Sequence, residues 1–269
     1  MLDILVPARH VRNWDGSVHY AAELAALIDG SLTGVYVCEP LAAMWGIDSP
    51  VLLSEGVAYL QEHLKSAHEA DRAFNDWARG LGVRNSHWRV ANSNYLPALS
   101  YASHWHDLLV LKSDPDLIGE VGGLLLSVGL PCLLVPDRLE HAQLNCIAIA
   151  WNGSIESIRA IHAALPLLRH AKRLVLLRGE RRLLISAEHW KPAFEIDEYL
   201  ERHGFQVTNC MLNTAEDRAG EALLSAAAEA NADLLVMGGY GRARFSEWVL
   251  GGATRHVLKH SSIPVLMRH

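Results

Sequence analysis

Apolar residues along this chain gather into short, near-continuous runs, and stretches with helical spacing separate them. The order of runs occurs twice. Ile4-Leu5-Val6-Pro7-Ala8 opens the first half and Ile147-Ala148-Ile149-Ala150-Trp151 opens the second. Short apolar runs bounded by turn residues read as strands buried on both faces. Each opening run leads to Asp15-Gly16-Ser17 or Asn152-Gly153-Ser154, then to a helix, His19 to Ile28 or Ile155 to Leu168. In both copies the serine is placed to cap the helix start. Second strands follow at Leu32 to Val37 and Arg173 to Leu177. A longer helix comes next, Ser54 to Leu81 or Ala187 to His203, ending at a glycine suited to a C-cap, Gly82 or Gly204. Third strands at Val83 to Val90 and Phe205 to Leu212 lead to helices at Tyr95 to Trp105 and Gly220 to Ala230. The fourth strands are near-copies, His106-Asp107-Leu108-Leu109-Val110-Leu111 beside Ala232-Asp233-Leu234-Leu235-Val236-Met237. The fifth begin with Leu130-Pro131-Cys132-Leu133-Leu134-Val135 and Ile263-Pro264-Val265-Leu266-Met267.

Each half is therefore βαβαβαβαβ, which predicts an α/β fold. Right-handed crossovers give each half a five-stranded parallel sheet with helices on both faces. The expected domains are 1–138 and 143–269, joined by the short polar stretch around Arg138-Leu139-Glu140-His141-Ala142. A last strand such as Ile263 to Met267 is an open edge unless paired. Two linked copies can pair theirs within one chain as a pseudo-dimer, and a homodimer of two chains is left open.

The copies differ after the fourth strand. The second runs from Asp233 to Pro264 in 31 residues and the first from Asp107 to Pro131 in 24. The second carries Gly238-Gly239-Tyr240-Gly241-Arg242 and then Gly251-Gly252-Ala253-Thr254 before a helix. Glycines at a strand end and a helix start let backbone N–H groups approach a phosphate, and they also make tight turns. The first copy has Lys112-Ser113-Asp114-Pro115-Asp116 there, with a proline where donors are needed. The first copy is thus expected to keep the fold and lack the phosphate loop. The long segment Glu39 to Pro50 reads as a lid, a partner surface or packing between halves.

Composition narrows the partners. A net charge of −6 offers no basic stripe for a nucleic-acid backbone. No apolar run reaches the length of a membrane span, and the chain opens directly as a strand without a basic leader, so a cytoplasmic location is expected. The four cysteines are scattered, as for free thiols in a reducing compartment. Among fifteen histidines, His104-Trp105-His106-Asp107 and the His256/His260 pair have metal-like spacing. Neither has further ligands nearby in sequence, so no metal site is expected.

Taken together, strand, Gly238-x-x-Gly241, the nine residues Arg242 to Leu250, Gly251, helix and a Pro-led last strand resemble the universal stress protein family. The two-copy layout resembles its tandem bacterial members. The resemblance implies a Rossmann-like fold for each copy. It also implies, as in some members, ATP or another adenine nucleotide at the carboxyl ends of the strands, with Mg if phosphates are bound. On that reading the base and ribose lie near Ala150, Trp151, Asn152, Leu177, Met237 and Gly238. The phosphates lie at Gly241, Arg242, Gly251, Gly252, Ala253 and Thr254. Trp151 either stacks on a base or fills the strand end. The chain departs from the family's ATP-binding pattern twice: Asn152 stands for an Asp, and Gly252 for a Ser or Thr.

Three functional classes follow. The first is a stress-response, ligand-sensing regulator with a nucleotide site in the second half. The second is a scaffold or regulator whose site has decayed or takes a different small molecule. The third, a slow nucleotide hydrolase, lacks an evident metal carboxylate and any triad spacing, so no catalytic residue is assigned.

Overall fold

A computed structural model describes residues 1–14, 16–39, 50–114, 118–137, 139, 141–179, 194–214, 218–239 and 252–269, leaving out the side chains of 50–55, 118–121 and 126. Ten strands and eight helices are found among them. The first half carries β1 (Asp3–Ala8), α1 (Ser17–Leu27), β2 (Ser31–Cys38), α2 (Pro50–Gly80), β3 (Asn85–Asn92), α3 (Tyr95–Ser103), β4 (Leu108–Ser113), α4 (Ile118–Ser127) and β5 (Cys132–Pro136). The second carries β6 (Cys146–Trp151), α5 (Ile155–Leu168), β7 (Arg173–Arg178), α6 (Ile196–Arg202), β8 (Val207–Met211), α7 (Ala219–Glu229), β9 (Leu234–Gly238), α8 (Gly252–His260) and β10 (Val265–Arg268). The expected strand–helix alternation is present in both halves.

The chain forms two compact units, and they divide it unevenly. The first holds Met1–Leu111, Ser127–Leu130 and Arg138–Ala142. The second holds Lys112–Leu126, Pro131–Asp137 and Gln143–His269. In the first, the strand order is β3-β2-β1-β4, all parallel. In the second it is β5-β10-β9-β6-β7-β8, parallel except for the β5–β10 pair. The fifth strand of the first half thus lies in the second unit. It runs antiparallel to β10, with Leu134 opposite Val265 and Cys132 opposite Met267. The last strands of the two copies cover one another's edge, as expected of linked copies. Burial pushes the Cys132 thiol there up to about 12.

The repeat extends to details of hydrogen bonding. The aspartate opening each fourth strand clamps the start of the first strand of its own half. Asp107 Oδ2 accepts the Asp3 N–H at 3.0 Å, and Asp107 N–H donates back to the Asp3 carbonyl. Asp233 Oδ2 accepts the Cys146 N–H at 2.8 Å, and Asp233 N–H returns to Cys146. Gly82 and Gly204 end their helices with φ of 94° and 82°. Beyond them Val83 N–H bonds Ala78 O, and Phe205 N–H bonds Leu200 O. These six-to-one bonds close a Schellman turn, which needs the left-handed residue. The expected serine caps divide. Ser154 caps α5, its Oγ accepting the Ser157 N–H at 3.2 Å. Ser17 does not cap α1, because the helix already begins at Ser17 and Gly16 takes the cap position without a side chain to contribute.

Apolar strand residues fill both cores, with Ile4, Leu5, Leu108, Leu109, Ile147, Ile149, Leu235 and Val236 fully or almost fully buried. The first unit adds an aromatic cluster where α2 covers β2 and β3. Trp14, Phe74 and Trp88 pack within 6 Å of one another, and the Trp88 indole N–H donates to Ala67 O. Gly34 makes room for it, since a Cβ there would lie 2.7 Å from the Phe74 ring. No helix among the described residues is long and apolar enough to cross a membrane.

Candidate functional site

In the second unit β6 sits between β7 and β9. The chain leaves β6 through α5 toward β7 on one side, and returns on the other side as β9. This is a topological switch point, where the carboxyl ends of two neighbouring strands diverge and leave a crevice. Ile149 lies opposite Val236 across that seam. The next residues up each strand are Ala150 and Trp151 on one side, Met237 and Gly238 on the other. Five of the expected base-side residues, with Asn152 at the rim, therefore converge on one edge. Ala150 and Trp151 are half-buried and Asn152 is exposed. Leu177, paired with Ala150, is 0% exposed, and Met237 is 5% exposed, so both belong to the core at this edge.

Local chemistry fixes the rim. Asn152 Oδ1 accepts the Ser154 N–H at 3.1 Å, forming an Asx turn into the α5 cap. The Asn152 side chain thus shapes the loop. Gly238 stands directly against the first turn of α5: a Cβ there would lie 2.6 Å from both Glu156 C and Ser157 N. That glycine is required by helix–strand packing, whatever else it serves. Gly252 is different. It opens α8, is exposed, and a Cβ there would meet nothing within 4 Å among the described residues. Ala253 is half-buried, and Thr254 is 6% exposed. The start of α8 packs on the start of α7, where a Cβ on Gly220 would come 2.9 Å from Ala253 O. Gly241, Arg242 and Gly251 lie outside the described residues.

Sequence reasoning missed two features of this edge. Glu156, in the first turn of α5 and beside Gly238, is a carboxyl only 8% exposed. The signal was an acid two residues after a capping serine, where acids favour the helix dipole. Second, Arg178 at the end of β7 bonds Asn209 Oδ1 through Nε at 2.7 Å and pairs with Asp197 of α6. Asn209 Nδ2 closes the ring to Asp197 at 3.1 Å. Burial alone would raise the Asp197 pKa, but its bonds to Arg178 and Asn209 and the arginine charge hold it below the usual range. A single Arg closing an apolar run marked the position, but its partners come from separate elements.

The first half is built differently at the matching place. Four residues separate β4 from α4, against thirteen between β9 and α8. Lys112, at the end of β4, is tied to Asp137 at 2.7 Å, and Ser113 Oγ donates to Leu258 O at 3.4 Å. Among the described residues no group of three or more His, Cys, Asp or Glu is arranged to hold a metal ion. The His256 and His260 rings pack on each other at 4.6 Å.

A model of the universal stress protein family matches residues 147–269, the part of the chain that builds this edge. This half of the chain is therefore similar to the universal stress protein family. The chain is similar to a universal stress protein of Synechocystis sp., 26% identical over 274 residues and covering 93% of both chains. Among solved structures it is similar to a universal stress protein from Archaeoglobus fulgidus, with a TM-score of 0.65 and 16% identity, covering 99% of this chain and 96% of that one. A functionally unknown protein from Pseudomonas aeruginosa PAO1 follows at 0.57 and 16%, covering 99% and 92%. The coverage extends the likeness over both halves of the chain. At these identities the structural likeness speaks for the fold.

Proposed function

We propose that this chain is a tandem universal stress protein, a cytoplasmic stress-response regulator that senses an adenine nucleotide through its second half, residues 143–269, with no dedicated reaction of its own. The observation that carries the reading is the switch point between β6 and β9, which gathers Ala150, Trp151, Asn152, Met237 and Gly238 at one edge. The base and ribose lie at this edge, near Leu177 and Met237. The phosphates take the loop from Gly238 to Thr254, with Gly241, Arg242 and Gly251 contributing backbone donors and charge. Anions gain about 0.3–1 kcal/mol at a helix start such as that of α8, in addition to charge-assisted hydrogen bonds. With phosphates bound, Mg accompanies them. The shortened connection after β4 supports one site per chain, the first half serving as scaffold.

Gly252→Asp tests this reading. The new side chain meets none of the described residues within 4 Å of its Cβ, and an acid at a helix start is neutral or slightly stabilising. The same carboxylate repels phosphate. Calorimetric titration with ATP is expected to show binding weakened by at least about tenfold, with the melting temperature unchanged or raised. Equal affinity in the two proteins removes the phosphates from this loop.

A further inference from the structure

The stretch joining the two halves is held down on α1. Glu23 reaches it with both carboxylate oxygens. Oε1 lies 3.0 Å from His141 Nδ1, and Oε2 accepts the Ala142 N–H at 2.8 Å. One turn earlier on the helix, His19 places Nδ1 3.9 Å from the same Oε1. The two imidazoles face each other with ring centroids 6.3 Å apart, and Trp77 of α2 flanks His19. All these residues lie within the first unit. The Glu23 side chain is 23% exposed, while that of His141 is 68% exposed. Burial alone would raise the Glu23 pKa. The His141 hydrogen bond, the Ala142 N–H and the His141 and His19 charges outweigh it and hold the carboxyl below its usual value. Among the described residues, His19 on the same helix and His141 on the joining stretch are the titratable groups facing it.

We infer that this is a pH-responsive clasp, in which mild acid charges the imidazoles around Glu23 and tightens the hold of α1 on residues 141–142. An imidazole changes charge between about pH 8 and 5. The bond to the Glu23 carboxylate becomes an ion pair when the imidazole is charged, which adds a coulombic attraction limited by solvent exposure. The carboxylate sets the other limit. Because its pKa is depressed in the folded state, its contribution is complete above the unfolded value of 4.5 and is lost as pH falls through the folded one. The clasp is thus firmest in mild acid, above the range in which Glu23 takes up its proton, and looser on either side. It makes the segment joining the copies respond to acidification without any ligand.

Hydrogen exchange of the Ala142 amide in the full chain, corrected for intrinsic rates, reads the clasp directly. In the wild type, protection is expected to rise about fivefold from pH 7.5 to pH 5.5. Glu23→Gln keeps an oxygen for the Ala142 N–H but carries no charge, so its protection is expected to be the same at both values. His141→Asn, a change on an exposed side chain, is expected to lose most of the dependence and serves alone if Glu23→Gln does not fold. A flat response in the wild type, or the wild-type dependence retained in either variant, overturns the clasp.

Discussion

Replacing Gly238 by alanine isolates the contact that shapes the candidate site. The added Cβ would lie 2.6 Å from Glu156 C and Ser157 N, and 2.9 Å from Glu156 Cβ. Two of these are backbone atoms in the first turn of a helix, so no rotamer change relieves the overlap. The turn is also braced, because Ser154 caps it and the Ser157 hydroxyl bonds the Ser154 carbonyl at 2.7 Å. Either α5 or the end of β9 must move. Forcing a methyl into a packed site costs about 1–3 kcal/mol. Removing glycine's freedom from the unfolded chain returns about 0.4–1 kcal/mol. A net loss of about 1–2 kcal/mol corresponds to a melting temperature lower by roughly 2–8 °C in a chain of this size. Gly252→Ala is the control: the same chemical change at the other end of the loop meets no described atom within 4 Å and is expected to melt at or slightly above wild type. Parallel thermal melts decide it. If Gly238→Ala melts within about 1 °C of wild type, α5 does not press on β9 as described, and the crevice has a different wall.

Two further outcomes follow from the second unit. Asp233→Ala removes the acceptor of the buried Cys146 N–H and is expected to cost about 1–3 kcal/mol, read by chemical denaturation, with Asp233→Asn recovering part of it. Asp197→Asn opens the ring with Arg178 and Asn209 on a partly exposed surface and is expected to cost about 1 kcal/mol or less at neutral pH. The Asp197 carboxyl is depressed in the folded state, so its contribution is present above its ordinary value of 3.8 and is lost as pH falls through the folded one. The gap between the two melting curves should close only in that acid range, and a gap independent of pH refutes the assignment.

Much of the fold was legible because burial on both faces leaves a plain mark. Runs such as Ile147 to Trp151 and Leu234 to Met237 have few polar interruptions, and the repeated Asp-Leu-Leu-Val phrase aligned the copies. Gly82 and Gly204 announced their helix ends, since the left-handed turn excludes most other residues. What escaped depends on partners distant in sequence. Asp107 and Asp233 read only as the openings of the fourth strands, and their role as clamps appears only once β1 and β6 lie beside them. The placement of β5 in the second unit follows from an antiparallel pairing that apolar runs do not encode. At the site, the Gly-rich connection after β9 was legible, while the switch point follows from a strand order that apolar runs do not encode. The double role of Gly238, a loop glycine by sequence and a packing glycine by contact, was not.

The central claim, one adenine-nucleotide site per chain, carried by the second half, is tested most directly by native mass spectrometry of the full chain with ATP and Mg. A single added nucleotide per chain, lost in Gly252→Asp, is the predicted result. No nucleotide at saturating concentration, or two per chain, contradicts it.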